Sequence, residues 1–240
     1  MKPLRHILWA IFVICHCHVS AETIEKEGIR YFVVKCDPQK VRIVWRDPEG
    51  RQIRDFPAAK SFLESQGEKP WLLMNGGIFE PGGIPSGLLV QSGEELCPVN
   101  RKEGAGNFFL KPNGIFLIGR QGARVVDAGA FPLNNEVVRF AVQSGPILLI
   151  NGKTHPAFNK GSDSRLLRNG VGVMKDGRVI FAISDRKGTK SPNLYEFADF
   201  FRSQGCSDAL FLDGDISQMR FGAEMSRPSN QFGSIIAVVE

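Results

Sequence analysis

The stretch VGVMKDGRVIFAIS, residues 171–184, decides the fold class of this 240-residue chain. Its two apolar arms are strand-like, and Asp176-Gly177 between them supplies the positive φ angles of a tight hairpin turn. A second such turn is predicted at Asn151-Gly152. Nine further strand-like segments are separated by Gly, Pro and Asn signals: Tyr31–Lys35, Val41–Trp45, Trp71–Met74, Leu88–Gln91, Ile115–Ile118, Phe140–Gln143, Ile147–Ile150, Leu210–Leu212 and Ile235–Val239. This pattern predicts an antiparallel sheet system.

Two helices are predicted among these strands. Residues 57–66 start with a proline suited to a first helical turn and stop before Gly67. Residues 193–204 start with a capping-box pattern made by Asn193 and Glu196. The apolar face of this second helix consists of Leu194, Phe197, Ala198 and Phe201. The predicted class is therefore α+β: a large, mostly antiparallel β-sheet system with a few covering helices, in a single domain.

The first 21 residues are predicted to be a secretory signal peptide. Lys2 and Arg5 give a basic start, Ile7 to Cys15 is a short apolar run, and Val19-Ser20-Ala21 fits a small-residue cleavage site. An uncleaved N-terminal anchor is the alternative reading of the same pattern. We expect cleavage after Ala21, a domain over residues 22–240, and a periplasmic or extracellular protein without a stable membrane span.

Export narrows the possible chemistry. Cleavage leaves 28 basic residues against 25 acidic ones, a net charge of about +3, and no basic cluster with interleaved aromatics indicates nucleic-acid binding. Only His155 remains, so a Ser-His-Asp triad would depend on it alone. Cys36, Cys97 and Cys206 permit one disulfide but no zinc-type CxxC pattern. Neither a cofactor nor a metal is expected, and the oligomeric state has no signal in the sequence.

Four segments share one design, in which an apolar strand runs into a polar, Gly-rich turn. They are LLMNGGIFEPGG (72–83), AVQSGPILL (141–149), SRLLRNGVGVM (164–174) and LFLDGDISQM (210–219). Glycines let backbone N–H groups approach a ligand closely. Such amides together with an arginine suit a phosphate or a sugar phosphate.

The order of these segments resembles the phosphodiester glycosidase domain family. The resemblance rests on NGGIF, QSGPILL, Arg168 before NGVGV, the FAISD strand, the LYEFADFF helix and LFLDGDIS, and it covers roughly Met74 to Val239. The family includes the enzyme that uncovers mannose 6-phosphate by removing N-acetylglucosamine from a phosphodiester, and many bacterial secreted relatives. Better-known members have Arg-Thr-Ala at 168–170 and Leu-Asp-Gly-Gly-Gly-Ser-Ser at 212–218. The present residues, including Asp215, indicate a bacterial subgroup.

The resemblance implies hydrolysis of the sugar–phosphate bond of a glycosyl phosphodiester in envelope or exopolysaccharide material. The leaving phosphate is already anionic near neutrality, so one carboxylate with a positive clamp can replace the usual pair of carboxylates. Asp213 is the predicted base or nucleophile, Arg168 the clamp on the phosphate, and Asp185 a second candidate carboxylate. The predicted substrate-binding residues are Asn75, Gly76, Gly77, Ser144, Gly145, Asn169, Gly214 and Ser217.

Other interpretations of the same residues remain open. A non-catalytic glycan- or phosphate-binding module of the cell envelope would keep the Gly-rich loops and Arg168 but would not need a positioned carboxylate. Asp213-Gly214-Asp215 also fits the metal-holding Asp-x-Asp of a nucleotide-sugar glycosyltransferase. No nucleotide-binding βαβ unit is evident to support that reading. Each residue also has a structural alternative: Asp213 as the start of a turn, and Arg168 or Asp185 as an ion-pair partner.

Overall fold

A computed structural model describes residues 19–240. Its strands are β1 (Ser20–Lys26), β2 (Ile29–Cys36), β3 (Val41–Val44), β4 (Pro70–Asn75), β5 (Phe79–Glu80), β6 (Ile84–Pro85), β7 (Leu89–Gln91), β8 (Glu94–Cys97), β9 (Gly114–Gly119), β10 (Gly122–Asp127), β11 (Val138–Ser144), β12 (Ile147–Ile150), β13 (Lys153–Thr154), β14 (Asn169–Met174), β15 (Val179–Asp185), β16 (Cys206–Asp213), β17 (Met219–Phe221) and β18 (Ile235–Val239). The helices are α1 (Phe56–Ser65) and α2 (Leu194–Ser203). The α+β class is therefore confirmed.

The strands form three antiparallel sheets and one small hairpin. The seven-stranded sheet has the order β1-β2-β15-β14-β16-β12-β13, the five-stranded sheet β10-β9-β11-β7-β8, and the four-stranded sheet β17-β4-β18-β3. The hairpin consists of β5 and β6. Both turns expected from Asp-Gly and Asn-Gly are present, joining β14 to β15 and β12 to β13.

The three sheets share one hydrophobic core. Side chains from each of them pack into a single buried cluster, represented by Val34 of β2, Leu72 of β4 and Phe116 of β9. A second cluster lies on the other face of the seven-stranded sheet, where α2 covers it. A third lies between α1 and the four-stranded sheet. The ends of strands from all three sheets can therefore meet at the margin of the shared core.

Both predicted helices are confirmed, and their starts follow the expected capping chemistry. Asp55 caps α1 by accepting a hydrogen bond from the Ala58 backbone N–H (2.9 Å). In α2 the Asn193 side chain accepts from the Glu196 N–H, and the Glu196 carboxylate accepts from the Asn193 N–H. This is the reciprocal arrangement that the Asn193 and Glu196 spacing predicts.

Strand β14 lies directly beneath α2 because two of its residues have no side chain. A Cβ atom added to Gly172 would lie 2.7 Å from the Cys206 Sγ and 2.8 Å from the Phe201 ring. At Gly170 the added atom would lie 2.8 Å from the Leu210 carbonyl oxygen. The alternating glycines of NGVGV thus permit close helix–sheet packing.

The N-terminal predictions lie largely outside this description. Residues 1–18, most of the predicted signal peptide, lie outside the described residues. The last two residues before the predicted cleavage site, Ser20 and Ala21, pair with Lys35 and Val34 at the start of β1. No helix within residues 19–240 has the length and apolarity needed to cross a membrane.

Candidate active site

The four Gly-rich strand ends meet at one margin of the core. Asp213, the last residue of β16, pairs in register with Asn169, the first residue of β14. The Asp213 backbone N–H donates to the Asn169 Oδ1 (2.6 Å), and the Asn169 Nδ2 donates to the Asn75 carbonyl oxygen (2.9 Å). Because Asn75 ends β4, the buried Asn169 side chain joins the seven-stranded sheet to the four-stranded sheet.

Ser144, at the end of β11, brings the five-stranded sheet to the same point. Its hydroxyl donates to the Leu212 carbonyl oxygen (2.7 Å), immediately before Asp213, and accepts from the Ile78 N–H (3.2 Å). The side chain is fully buried. All three sheets therefore meet at Asp213, and the convergence does not depend on flexible loops.

The Asp213 carboxyl has the properties of a reactive group. The side chain is half-buried, and its Oδ1 accepts from the Gly214 N–H (2.7 Å). Burial raises the Asp213 pKa from 3.8 to about 6, against the smaller opposing effect of that hydrogen bond. Carboxylates with raised pKa values beside a cleft are candidates for general acid–base or nucleophilic roles. Near neutral pH the group is ionised and remains a much better proton acceptor than an exposed aspartate.

Two unpaired polar atoms lie beside Asp213. The loop after it turns back through a hydrogen bond from the Ser217 N–H to the Gly214 oxygen (2.9 Å), and the Gln218 N–H donates to the Asn75 Oδ1 (3.0 Å). The Asn75 Nδ2 and the Ser217 Oγ are buried without a hydrogen-bond partner among the described residues. Such groups are uncommon because each costs about 1–3 kcal/mol. They are the donors best placed to bind a ligand.

The predicted glycines fulfil packing roles here. The Gly76 N–H already donates to the Ser234 oxygen (2.9 Å), and an added Cβ would lie 2.2 Å from the Ser234 Oγ. At Gly77 the added atom would lie 2.8 Å from the Gln143 oxygen, and at Gly145 it would lie 2.7 Å from the Asn113 Cβ. These residues let the chain segments around Asp213 approach each other, and their role as direct substrate contacts remains a prediction.

Arg168 is buried on the α2 side of the seven-stranded sheet. Its side chain lies on the α2 face of the sheet, 5.6 Å from the centre of the Phe211 ring, whereas its neighbour Asn169 points toward Asn75. The Nε donates to the Pro192 oxygen (2.9 Å) and the Nη2 to the Ser164 oxygen (2.8 Å). Burial lowers the Arg168 pKa to about 10, and the residue is 1% exposed. The Arg168 Nη1 is buried without a hydrogen-bond partner among the described residues, and the clamp role remains a prediction.

Asp185 lies at the same end of the seven-stranded sheet but in another environment. Its Oδ2 lies 3.5 Å from the Arg30 Nε, and its Oδ1 accepts from the Lys187 N–H (3.2 Å). Strand β14 lies between β15 and β16, and Asp185 lies two residues beyond Ile183, the residue in line with Asn169 and Asp213. The backbones of Asp185 and Asp213 are therefore separated by about 12 Å. The ion pair with Arg30 corresponds to the structural alternative for Asp185, although its partner is not the adjacent Arg186.

Asp215 makes a hydrogen bond to a different segment of the chain. Its Oδ1 accepts from the Leu167 N–H (3.0 Å), which ties the loop after β16 to the approach to β14. Within residues 19–240 no group of three or more His, Cys, Asp or Glu side chains is arranged to hold a metal ion.

One residue that organises the site was not predicted from the sequence. Gln143, buried beside Ser144, accepts from the Leu88 N–H (3.0 Å) and the Asn100 N–H (2.8 Å) through its Oε1. Its Nε2 donates to the Asn100 oxygen (2.6 Å). The sequence signal that could have identified Gln143 is its position directly before Ser144 in AVQSGPILL. The chain segments that Gln143 joins are distant in sequence, so a local pattern does not reveal these contacts.

The remaining His and Cys side chains take no part in this arrangement. His155 stacks on Phe158, with ring centres 4.7 Å apart, and its Nδ1 accepts from the Ala157 N–H. Cys36, Cys97 and Cys206 are free and buried. Burial raises the pKa values of Cys36 and Cys206 to about 12, so both thiols are unreactive in the folded protein.

Comparisons with known proteins agree with this architecture. The sequence pattern of the phosphodiester glycosidase family matches residues 71–238. The uncharacterized protein YigE of Escherichia coli (strain K12) is 32% identical over 204 residues, which is 85% of this chain and 77% of that protein.

Solved structures share the fold at much lower identity. The zebrafish N-acetylglucosamine-1-phosphodiester alpha-N-acetylglucosaminidase catalytic domain has a TM-score of 0.65 and 16% identity, over 94% of this chain and 83% of that one. A hypothetical protein from Synechocystis has a TM-score of 0.58 and 12% identity, over 92% and 61%. Together with the match over residues 71–238, these findings show that the chain belongs to the phosphodiester glycosidase family.

Proposed function

We propose that this chain is an exported hydrolase that cleaves the sugar–phosphate bond of a glycosyl phosphodiester in envelope or exopolysaccharide material. The observation that carries the proposal is Asp213, a half-buried carboxyl with a pKa near 6 at the meeting point of three sheets. Membership of the phosphodiester glycosidase family supports a glycosidase-type reaction. Export is supported only by the signal-peptide pattern of residues 1–21.

Asp213 acts at the anomeric carbon in this proposal, as base toward water or as nucleophile. The bond between the sugar carbon and the phosphate oxygen breaks, and a phosphomonoester leaves with the electron pair. That group is a stable anion with a second pKa of about 6, so it needs little protonation by an acid. A single carboxylate with a raised pKa is therefore sufficient. The Asn75 amide and the Ser217 hydroxyl, both unpaired, are the proposed hydrogen-bond donors to the substrate.

A binding module without catalysis is the competing proposal. It would not require a carboxyl group at the convergence of Asn75 and Ser144. Asp213 lies at that convergence, half-buried, and burial raises the pKa of its carboxyl. This placement favours the enzyme.

The test is sugar release from a panel of α- and β-sugar-1-phosphodiesters, measured with and without EDTA. We expect Asp213→Asn to lower kcat/KM by about 10²–10⁴-fold, as is usual for a positioned base. Asp208→Asn, a carboxylate change on the same strand, is the matched control and should retain activity. Wild-type activity in folded Asp213→Asn would remove that residue from the mechanism. Binding of the panel without release of sugar would support the binding module.

A further inference from the structure

Two hydrogen bonds from Asn230 hold the loop that follows Asp213. The Asn230 Nδ2 donates to the Ile216 carbonyl oxygen (3.0 Å), and the Asn230 backbone N–H donates to the Gln218 Oε1 (3.1 Å). Ser217 lies between these two contacts, and its hydroxyl is one of the two unpaired groups beside Asp213. Asn230 belongs to none of the four Gly-rich segments, so the sequence patterns did not connect it with the site.

Gln218 connects the same loop to the second unpaired group, the amide of Asn75. The Gln218 backbone N–H donates to the Asn75 Oδ1 (3.0 Å), and its carbonyl oxygen accepts from the Asn75 N–H (3.4 Å). Because a backbone N–H donates only to the oxygen of an amide side chain, this contact fixes which end of the Asn75 amide carries the NH2 group. The Asn75 Nδ2 is then left buried without a hydrogen-bond partner among the described residues. Since Asn230 holds the Gln218 side chain, it acts on both unpaired groups.

The segment that carries Asn230 is itself attached to the rest of the fold on both sides. The hydroxyl of its neighbour Ser229 accepts from the Phe56 N–H at the start of α1 (3.0 Å), and the Phe232 N–H donates to the Arg54 oxygen (2.7 Å). The Phe232 side chain is buried in the cluster between α1 and the four-stranded sheet. Asn230 is therefore a short side chain on an anchored segment, which allows it to hold the loop in one position.

We propose that Asn230 is a positioning residue, which holds the Ser217 hydroxyl and the Asn75 amide in place to bind the substrate beside Asp213. This inference rests on the proposed hydrolysis, in which these two groups donate hydrogen bonds to the substrate. Each such bond typically contributes about two- to tenfold to affinity. Loss of Asn230 lets the loop move, and both contributions then fall together.

The first test is the kinetics of sugar release from the sugar-1-phosphodiester panel by folded Asn230→Ala. Asn230 is exposed, so its replacement leaves no cavity in the core. We expect KM to rise about tenfold with kcat little changed, because binding by the positioned donors is weakened. In a Ser217→Ala background the same change should raise KM only about threefold, since one of the two donors is already absent. The control is Asn159→Ala, at another exposed asparagine whose side chain holds a surface turn, and it should keep the wild-type KM.

The second test is amide hydrogen exchange of the full chain, which does not depend on activity. The Ser217 and Gln218 N–H groups are both hydrogen-bonded in the folded protein. Both should exchange about fivefold faster or more in Asn230→Ala, because the loop opens more often without its anchor. The Phe211 N–H, which is also hydrogen-bonded and lies in β16, should exchange at the wild-type rate. Thermal unfolding shows that each variant is folded.

Three results would overturn the proposal. One is a wild-type KM in folded Asn230→Ala. Another is an undiminished rise in KM in the Ser217→Ala background, since Asn230 would then act independently of that donor. The third is wild-type exchange of the Ser217 and Gln218 N–H groups in Asn230→Ala. If the wild-type protein releases no sugar from any phosphodiester, the proposed function fails instead, and the exchange rates decide whether Asn230 positions the two groups.

Discussion

At the scale of single residues, Asp213 couples the stability of the fold to pH. The unfolded chain releases this proton near pH 3.8, whereas the folded chain releases it near pH 6. The folded state therefore holds the proton more tightly. The resulting stabilisation is complete below pH 3.8 and is lost as the pH rises through 6.

Replacing Asp213 with Asn should therefore stabilise the protein at neutral pH while it slows hydrolysis. We expect the free energy of unfolding to rise by about 1–3 kcal/mol at pH 7.5, and by much less near pH 4, where the wild-type carboxyl is protonated in the folded state. Urea unfolding at the two pH values measures this difference. An equal gain at both would contradict a buried, titrating Asp213.

In the wild type, kcat/KM should rise with pH through about 6 as the carboxylate forms.

Asn169 is the residue on which the position of Asp213 depends. Asn169→Leu keeps the approximate volume but leaves the Asp213 N–H and the Asn75 oxygen without their partner. We expect a loss of about 2–4 kcal/mol in the free energy of unfolding, because two buried backbone groups become unsatisfied. The control is Asn159→Ala, at an exposed asparagine whose Oδ1 accepts from the Gly161 N–H in a surface turn. Similar losses in both variants would show that Asn169 has no special role.

At the scale of elements, the packing of α2 on β14 depends on glycine. Gly172→Val would place methyl groups where the Phe201 ring and the Cys206 Sγ already lie. We expect a destabilisation of about 1–3 kcal/mol from overpacking, measured by chemical denaturation. Gly161→Ala is the control, since the nearest atom to its added Cβ is 3.6 Å away. A Gly172→Val protein as stable as the wild type would mean that α2 can move away from β14.

The elements themselves were predictable where the signal is local. The Asp176-Gly177 turn and the Asn193–Glu196 capping box each depend on residues within four positions, and both are present. Strand β1 was not predicted because its residues, SAETIEK, are mostly polar and exposed at a sheet edge. Strands β5, β6 and β13 are two residues long, too short for any periodicity.

At the scale of the whole molecule, the three cysteines of residues 19–240 report on global unfolding. Cys36 and Cys97 lie in the core that the three sheets share, and Cys206 lies beneath α2. A folded protein consisting of residues 19–240 should not react with iodoacetamide, and after denaturation in guanidinium it should gain three carbamidomethyl groups, as counted by mass spectrometry. Reaction of any of the three under native conditions would show that part of the core opens without global unfolding.

The sequence by itself determined the α+β class, the two helices and the hairpins. These features follow from periodicity, turn residues and caps, which act between neighbours in the chain. Only the tertiary structure decided that the Arg168 side chain lies on the α2 side of the sheet while the Asn169 side chain points to β4. The face on which a side chain lies depends on strand register and on packing against distant segments, here α2 on one side and β4 on the other. A shift of one residue in strand register moves each side chain to the opposite face of the sheet. No local pattern in the chain specifies that register.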